Sequence, residues 1–174
     1  VGLSGKDGGL ILAKKLHLLR SQSQDKPPEI IDIGMVGEVV GVNPEIIQTL
    51  EDGGFIPVIA PVGVGGSGET YNINADWVAS KIAVALNAIK LILLTDVEGV
   101  MDEKGALISS ATAEAAERLL SDGTLTGGMI PKMECALEAI QKGVKRVHII
   151  DGRDPHAVLL ELFTDKGIGT EISA

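Results

Sequence analysis

Two short stretches carry residues whose types and spacing could do chemistry. In Tyr71-Asn72-Ile73-Asn74-Ala75-Asp76, two amides and a carboxylate stand together just where apolar residues take up helical spacing. One short polar side chain is enough to cap a helix, so the structural account is that Asn74 caps and its neighbours shape a turn. The functional account is that side chains at such a strand-to-helix junction point into a cleft. There Asp76, kept ionised by the helix N-terminus, would organise ammonium groups without joining proton transfer. In Thr126-Gly127-Gly128-Met129-Ile130-Pro131-Lys132, a glycine pair leads into a helix start, where unpaired backbone N–H groups favour anions. A lysine in that first turn opposes the helix dipole. Lys132 is then either an ordinary solvated side chain or a cation positioned for phosphate.

Other candidates are weaker. Gly63-Val64-Gly65-Gly66-Ser67-Gly68 matches G-x-G-x-x-G literally, but Glu69 to Asn72 intervene before helical spacing begins, and no acid follows about 20 residues on at a strand end. It reads as a plain loop. The G-x-x-x-x-G-K-[ST] phosphate loop is absent. His148 lies mid-strand, where a satisfied core histidine is the usual case. His17 and His156 have no partner spacing, Cys135 sits on an apolar helix face and reads as packing, and Trp77 suits core or interface equally.

The elements that must position these residues follow from periodicity. A turn at 5–9 precedes a strand over 10–16 that can pair back on Val1–Leu3, and residues 21–29 form an exposed polar loop. An extended piece spans Met35–Val42. Asn43-Pro44-Glu45 starts a helix that Gly53-Gly54 ends. The apolar run 55–62 reads as one buried strand, and 77–86 as a helix. Then come a strand at 90–96, helices at 112–120 and 130–143, a strand at 146–151 and a helix at 155–163. This alternation predicts an α/β fold, a three-layer α/β/α sandwich with a mainly parallel central sheet. Ligands would sit beyond the carboxyl ends of the strands, after Val62, Asp96 and Asp151.

Bulk composition narrows the function classes. With 174 residues, 45% of them hydrophobic, the chain can bury one sizeable core. A net charge of −9 disfavours nucleic acid and anionic membranes, and no basic cluster offsets it. The 22 glycines, about twice the ordinary ~7% share, imply many tight turns. One cysteine excludes an internal disulfide and a cysteine zinc cage, which fits a cytoplasmic setting. No apolar run approaches the ~18 residues of a membrane span. The opening VGLSG reads like the end of a strand already in progress, so an upstream part is expected to be missing.

Taken together and in order, GLSGKDG, GEVVGVNPEII, GFIPVIAPV, YNINAD, KLILLTDVEGV, DGTLTGGMIPKMECAL and VHIIDGRDPHAVLLELFTDKGIGT closely resemble the acetylglutamate kinases of the amino acid kinase family. The resemblance covers nearly the whole chain. It implies transfer of the γ-phosphate of Mg-ATP to N-acetyl-L-glutamate, in arginine biosynthesis. It further implies that Asn72 and Asn74 face the acyl amino acid, that Asp76 orients catalytic lysines, and that Lys132 stabilises the migrating phosphoryl group. Thr95, Asp96 and Met129 fall on the nucleotide side. The closing segment also resembles arginine-inhibited members, in which His148, Glu161 and Gly167 would surround the effector.

The chain departs from the family pattern at Trp77, where a small residue is usual. It also lacks the N-terminal half, with its glycine-rich phosphate loop, first catalytic lysine and substrate-gripping arginine. Residues 1–174 are accordingly expected to be a single nucleotide-binding lobe without its substrate lobe, inactive alone and a homo-oligomer when complete. The other readings are an arginine-sensing or nucleotide-binding module without catalysis, a sister kinase with a different acyl substrate, and a dinucleotide-binding domain.

Overall fold

The computed structural model describes residues 1–20, 29–164 and 167–174. The chain divides into two compact units, Val1–Ile82 and Ala83–Ala174. The predicted loop over 21–29 lies almost wholly outside the described residues.

In the first unit β1 (Gly2–Leu3) is followed by a 3₁₀ turn over Asp7–Gly9, then β2 (Ile11–Arg20) and β3 (Glu29–Val42). Next come α1 (Glu45–Asp52), β4 (Val58–Ile59), β5 (Val62–Val64), β6 (Thr70–Asn72) and α2 (Ala75–Ala85), which runs across the division between units. Strands β2, β3, β6 and β5 close into a small barrel. Its interior tolerates little bulk: a Cβ on Gly63 would stand 2.6 Å from the Ala13 Cβ, and one on Gly37 would stand 2.6 Å from the Tyr71 Cβ. Leu10, Ile11, Ala13, Ile47, Tyr71 and Ile73 fill the core of this unit.

Three expectations change here. β2 does not pair back on the N-terminal residues; it pairs antiparallel with β3, while β1 pairs in parallel with β4. The run 55–62 is not one buried strand but two short pieces, and Phe55, Ile56 and Val58 are exposed. Pro57 and Pro61 lack the N–H groups a continuous ladder needs. Val62 therefore opens a strand instead of ending one. The glycine-rich loop after it is the turn of the β5–β6 hairpin, in which the Gly65 N–H donates to the Glu69 carbonyl at 2.9 Å and the Ser67 N–H to the Glu69 carboxylate at 3.0 Å.

The second unit holds β7 (Lys90–Thr95), β8 (Ser110–Thr112), α3 (Ala113–Ser121), α4 (Met129–Gln141), β9 (Arg146–Asp151), α5 (Ala157–Phe163) and β10 (Thr170–Ser173). Its sheet order is β7-β9-β10-β8, with β7–β9 and β10–β8 parallel and β9–β10 antiparallel. Side chains alternate across a strand, yet every residue from Val147 to Asp151 is buried, so both faces of β9 are covered. The strand, helix, helix, strand and helix expected over 90–163 are all present. Thr112 caps α3 as anticipated, its hydroxyl accepting from the Ala115 N–H at 3.2 Å. The short β8 and β10 carry no periodic signal, and neither is anticipated. β10 depends on Gly169, which has a φ of 72° and lies so near the Ile149 carbonyl that a Cβ would approach it to 2.2 Å. Thr170 follows, fully buried, its hydroxyl donating to the Ile108 carbonyl at 2.6 Å and accepting from the Val100 N–H at 2.8 Å. Among the described residues no helix is long and apolar enough to cross a membrane.

Candidate functional site

In the second unit, β7 ends at Thr95 and α4 begins just after Gly127-Gly128. A cleft of about 320 Å³ there is lined by Thr95, Asp96, Thr126, Gly128, Met129 and Lys132, among others. The four residues assigned from sequence to nucleotide and phosphoryl handling in this half are thus walls of one space, beyond the carboxyl end of a parallel strand. The Thr95 hydroxyl donates to the Asp96 carboxylate at 3.4 Å. The helix start offers fewer donors than the sequence suggests: the Met129 and Ile130 N–H groups donate to the Thr126 and Gly127 carbonyls at 3.2 and 3.4 Å, and Pro131 has no N–H, so Lys132 is the cation this cleft presents to phosphate oxygens.

At the carboxyl end of neighbouring β9, Asp151 and Arg153 form a two-pronged pair: Nε donates at 3.0 Å and Nη2 at 2.7 Å. The guanidinium holds the Asp151 carboxyl below the usual carboxylate range, and Asp151, with Asp96 and Asp154 nearby, raises Arg153. Arg153 is missed from the sequence because an arginine after an Asp-Gly turn carries no distinguishing pattern.

In the first unit, Asn74 flanks α2, and its side-chain oxygen accepts from the N–H groups of Asp76 at 2.9 Å and Trp77 at 3.4 Å. The capping account is therefore correct for Asn74, and its amide nitrogen is the part left to face a ligand. Leu16, Val36, Val39, Ile73, Asn74 and Trp77 line a cleft of about 390 Å³. The Lys81 ammonium lies 5.8 Å from the centre of the Trp77 ring, within cation–π range. Trp77 is thus a cleft wall, half-buried. Asn72 ends β6 with an exposed side chain, and neither it nor Asp76 lines this cleft. Asp76 belongs to the first unit and Lys132 to the second.

A third cavity, of about 710 Å³, lies in the second unit and brings together His148, Glu161 and Gly167, the three residues assigned to an effector, with Lys90, Arg146 and Glu171. The His148 Nδ1 is 2.7 Å from Glu161 Oε1, and both side chains are buried. Lys90 Nζ reaches the same oxygen at 3.3 Å, and Glu161 Oε2 accepts from the Ile168 N–H at 3.0 Å. Burial lowers the His148 pKa, and Lys90 and Arg146 act in the same direction; Glu161 and Glu171 oppose the shift without overcoming it. His148 is therefore not the fully satisfied core histidine expected, because its Nε2 has no hydrogen-bond partner among the described residues. Cys135 is buried packing, as expected. Among the described residues no group of three or more His, Cys, Asp or Glu could hold a metal ion.

The model of the amino acid kinase family matches residues 1–151. Acetylglutamate kinase of Syntrophobacter fumaroxidans is 66% identical over 99% of this chain and 58% of its own length. Acetylglutamate kinases of Geobacter sp. strain M21 and Stutzerimonas stutzeri are 61% and 57% identical, with this chain covering 59% and 58% of them. The chain thus spans somewhat more than half the length of these relatives. N-acetylglutamate synthase of Neisseria gonorrhoeae, solved with coenzyme A and L-arginine, superimposes with a TM-score of 0.81 at 26% identity, over 99% of this chain and 37% of that one. Carbamate kinase of Giardia lamblia bound to AMP-PNP gives 0.66 at 21% identity, over 90% and 52%, a likeness of fold. With a family model spanning most of its length and an α/β fold shared with these structures, this chain belongs to the amino acid kinase family.

Proposed function

We propose that this chain is the nucleotide-binding part of an acetylglutamate kinase, which transfers the γ-phosphoryl group of ATP to the side-chain carboxylate of N-acetyl-L-glutamate in arginine biosynthesis. The observation that carries this reading is the single cleft walled by Thr95, Asp96, Met129 and Lys132. The high identity to acetylglutamate kinases supports the same choice of substrate.

In the reaction, a carboxylate oxygen of the acyl amino acid bonds to the γ-phosphorus, the bond to the β,γ-bridging oxygen breaks, and ADP leaves. The transition state is loose, so positioning and positive charge supply most of the rate. Lys132 supplies that charge to the migrating group. Met129 packs against adenine, Asp96 lies at the ribose, and Thr95 completes the nucleotide side. Asn72 and Asn74 hold the acyl amino acid, and Asp76 has the role of orienting catalytic lysines. When bound, Mg²⁺ neutralises phosphate charge.

The test uses the complete protein with Mg-ATP, N-acetyl-L-glutamate and hydroxylamine, which traps an acyl phosphate as its hydroxamate. ATP-dependent hydroxamate is expected. A protein that makes none from N-acetyl-L-glutamate, but does so from another acyl amino acid, is the sister kinase instead. The third cavity favours a second role beside catalysis, as an effector site for L-arginine, since it gathers acidic, basic and imidazole groups away from the helix-start cleft. The complete protein is further proposed to be a cytoplasmic homo-oligomer.

A further inference from the structure

The cleft of about 390 Å³ in the first unit has a mostly apolar wall with amides at its edge. Leu16 from β2, Val36 and Val39 from β3, Ile73 between β6 and α2, and Trp77 from α2 supply the hydrocarbon surface, and Asn74 lines the same space. Asn72 does not line it, but it is the register partner of Val36, which does. The apolar wall thus begins beside the β6 residue assigned above to the acyl amino acid.

The cap on α2 decides what Asn74 can offer. Its side-chain oxygen accepts from the N–H groups of Asp76 at 2.9 Å and Trp77 at 3.4 Å, so the other half of the amide, an NH₂, is what it presents to a ligand. A donor set beside hydrocarbon suits a carbonyl oxygen whose carbon bears an alkyl chain. An N-acyl group has that composition.

Trp77 is the bulkiest side chain of this wall. It stands four residues before Lys81 on α2, so the two share a helix face, and the Lys81 ammonium lies 5.8 Å from the centre of the ring. A cation–π contact of this kind holds the indole in place. The same residue gives its backbone N–H to the Asn74 oxygen, which ties the position of the ring to that of the amide. A chain lying along the wall then meets a fixed ring, and a hydrophobic pocket separates chains one methylene apart by about 10- to 200-fold.

We infer that Trp77 is a specificity-determining residue, the wall that restricts the acyl group of the substrate to a short chain while Asn74 donates to the acyl carbonyl. The inference rests on reading the chain as part of an acyl-amino-acid kinase, and it adds the residue that selects among acyl groups.

The test compares kcat/KM of the complete protein for N-acetyl- and N-butyryl-L-glutamate, read as ATP-dependent hydroxamate, in the parent, Trp77→Ala and Trp77→Phe. Trp77→Ala is expected to lower the preference for acetyl over butyryl by about tenfold or more, through the KM of the acyl substrate and not that of ATP. Trp77→Phe, which keeps a ring, is expected to retain most of the preference. A general loosening of the fold would slow both substrates alike and leave their ratio unchanged. Thermal unfolding checks each variant, and if Trp77→Ala does not fold, Trp77→Leu takes its place in the comparison. A parental ratio in the folded Ala or Leu variant overturns the inference and leaves the reaction standing. A parent that phosphorylates no N-acyl-L-glutamate overturns both.

Discussion

The side-chain oxygen of Asn74 accepts a hydrogen bond from the backbone N–H of Asp76 at 2.9 Å. The amide therefore fixes the first turn of α2 and with it the direction in which the Asp76 carboxylate leaves the helix. One residue of the cluster is a cap and, through the cap, positions another. Asn74→Ala should destabilise the protein by about 1 kcal/mol, and Asn74→Asp, which keeps an acceptor, should cost much less. Thermal unfolding of the two variants checks this; equal losses would show that the cap is not what Asn74 contributes.

Thr170 joins β10 to the loop before β8 through a hydroxyl with both a donor and an acceptor partner in the buried interior. Thr170→Val keeps the shape and leaves the Val100 N–H and the Ile108 carbonyl without that partner. The expected loss is about 1–3 kcal/mol in chemical denaturation. A variant as stable as the parent would mean that the interior relaxes or admits water there.

His148 makes stability depend on pH in a definite direction. Its folded pKa lies below the ordinary 6.5, because burial disfavours the imidazolium. In the unfolded chain the ring takes a proton near ~6.5, where the folded protein still resists it. The unfolded state then binds more protons, so this contribution is complete above that value and is lost as the pH falls through it toward the folded pKa. Melting temperatures should drop on acidification over this window, and His148→Gln should flatten the drop. A profile unchanged in the variant would assign the acid sensitivity to other groups, such as the Asp151–Arg153 pair, whose own loss is confined to the carboxylate range.

The second unit was the more legible half of the sequence. Lys90–Thr95 and Arg146–Asp151 are apolar runs bounded by turns, and Thr112 and the Gly127-Gly128 pair announce their helices, so elements and cleft residues could both be named. The first unit was harder because its barrel strands are paired by distant residues, such as Val36 with Asn72, and carry polar and glycine positions that blur alternation. β10 is four residues long and owes its place to a left-handed glycine and a buried threonine, neither of which gives a periodic signal. The resemblance singles out His148, whereas Arg153 carries no signal in the sequence. Its pairing with Asp151, two residues away, depends on the turn that ends β9.

In the proposed reaction Lys132 stabilises the phosphoryl group in flight between ATP and the acceptor carboxylate. This role is tested most directly by the steady-state rate of acetylglutamyl phosphate formation in the complete enzyme with Lys132→Ala. The account predicts a kcat lower by on the order of 100- to 1000-fold, with a comparatively small change in KM for ATP. Lys132→Arg should not restore the rate, since a planar fork does not replace a compact ammonium. A kcat equal to that of the parent enzyme would contradict the account.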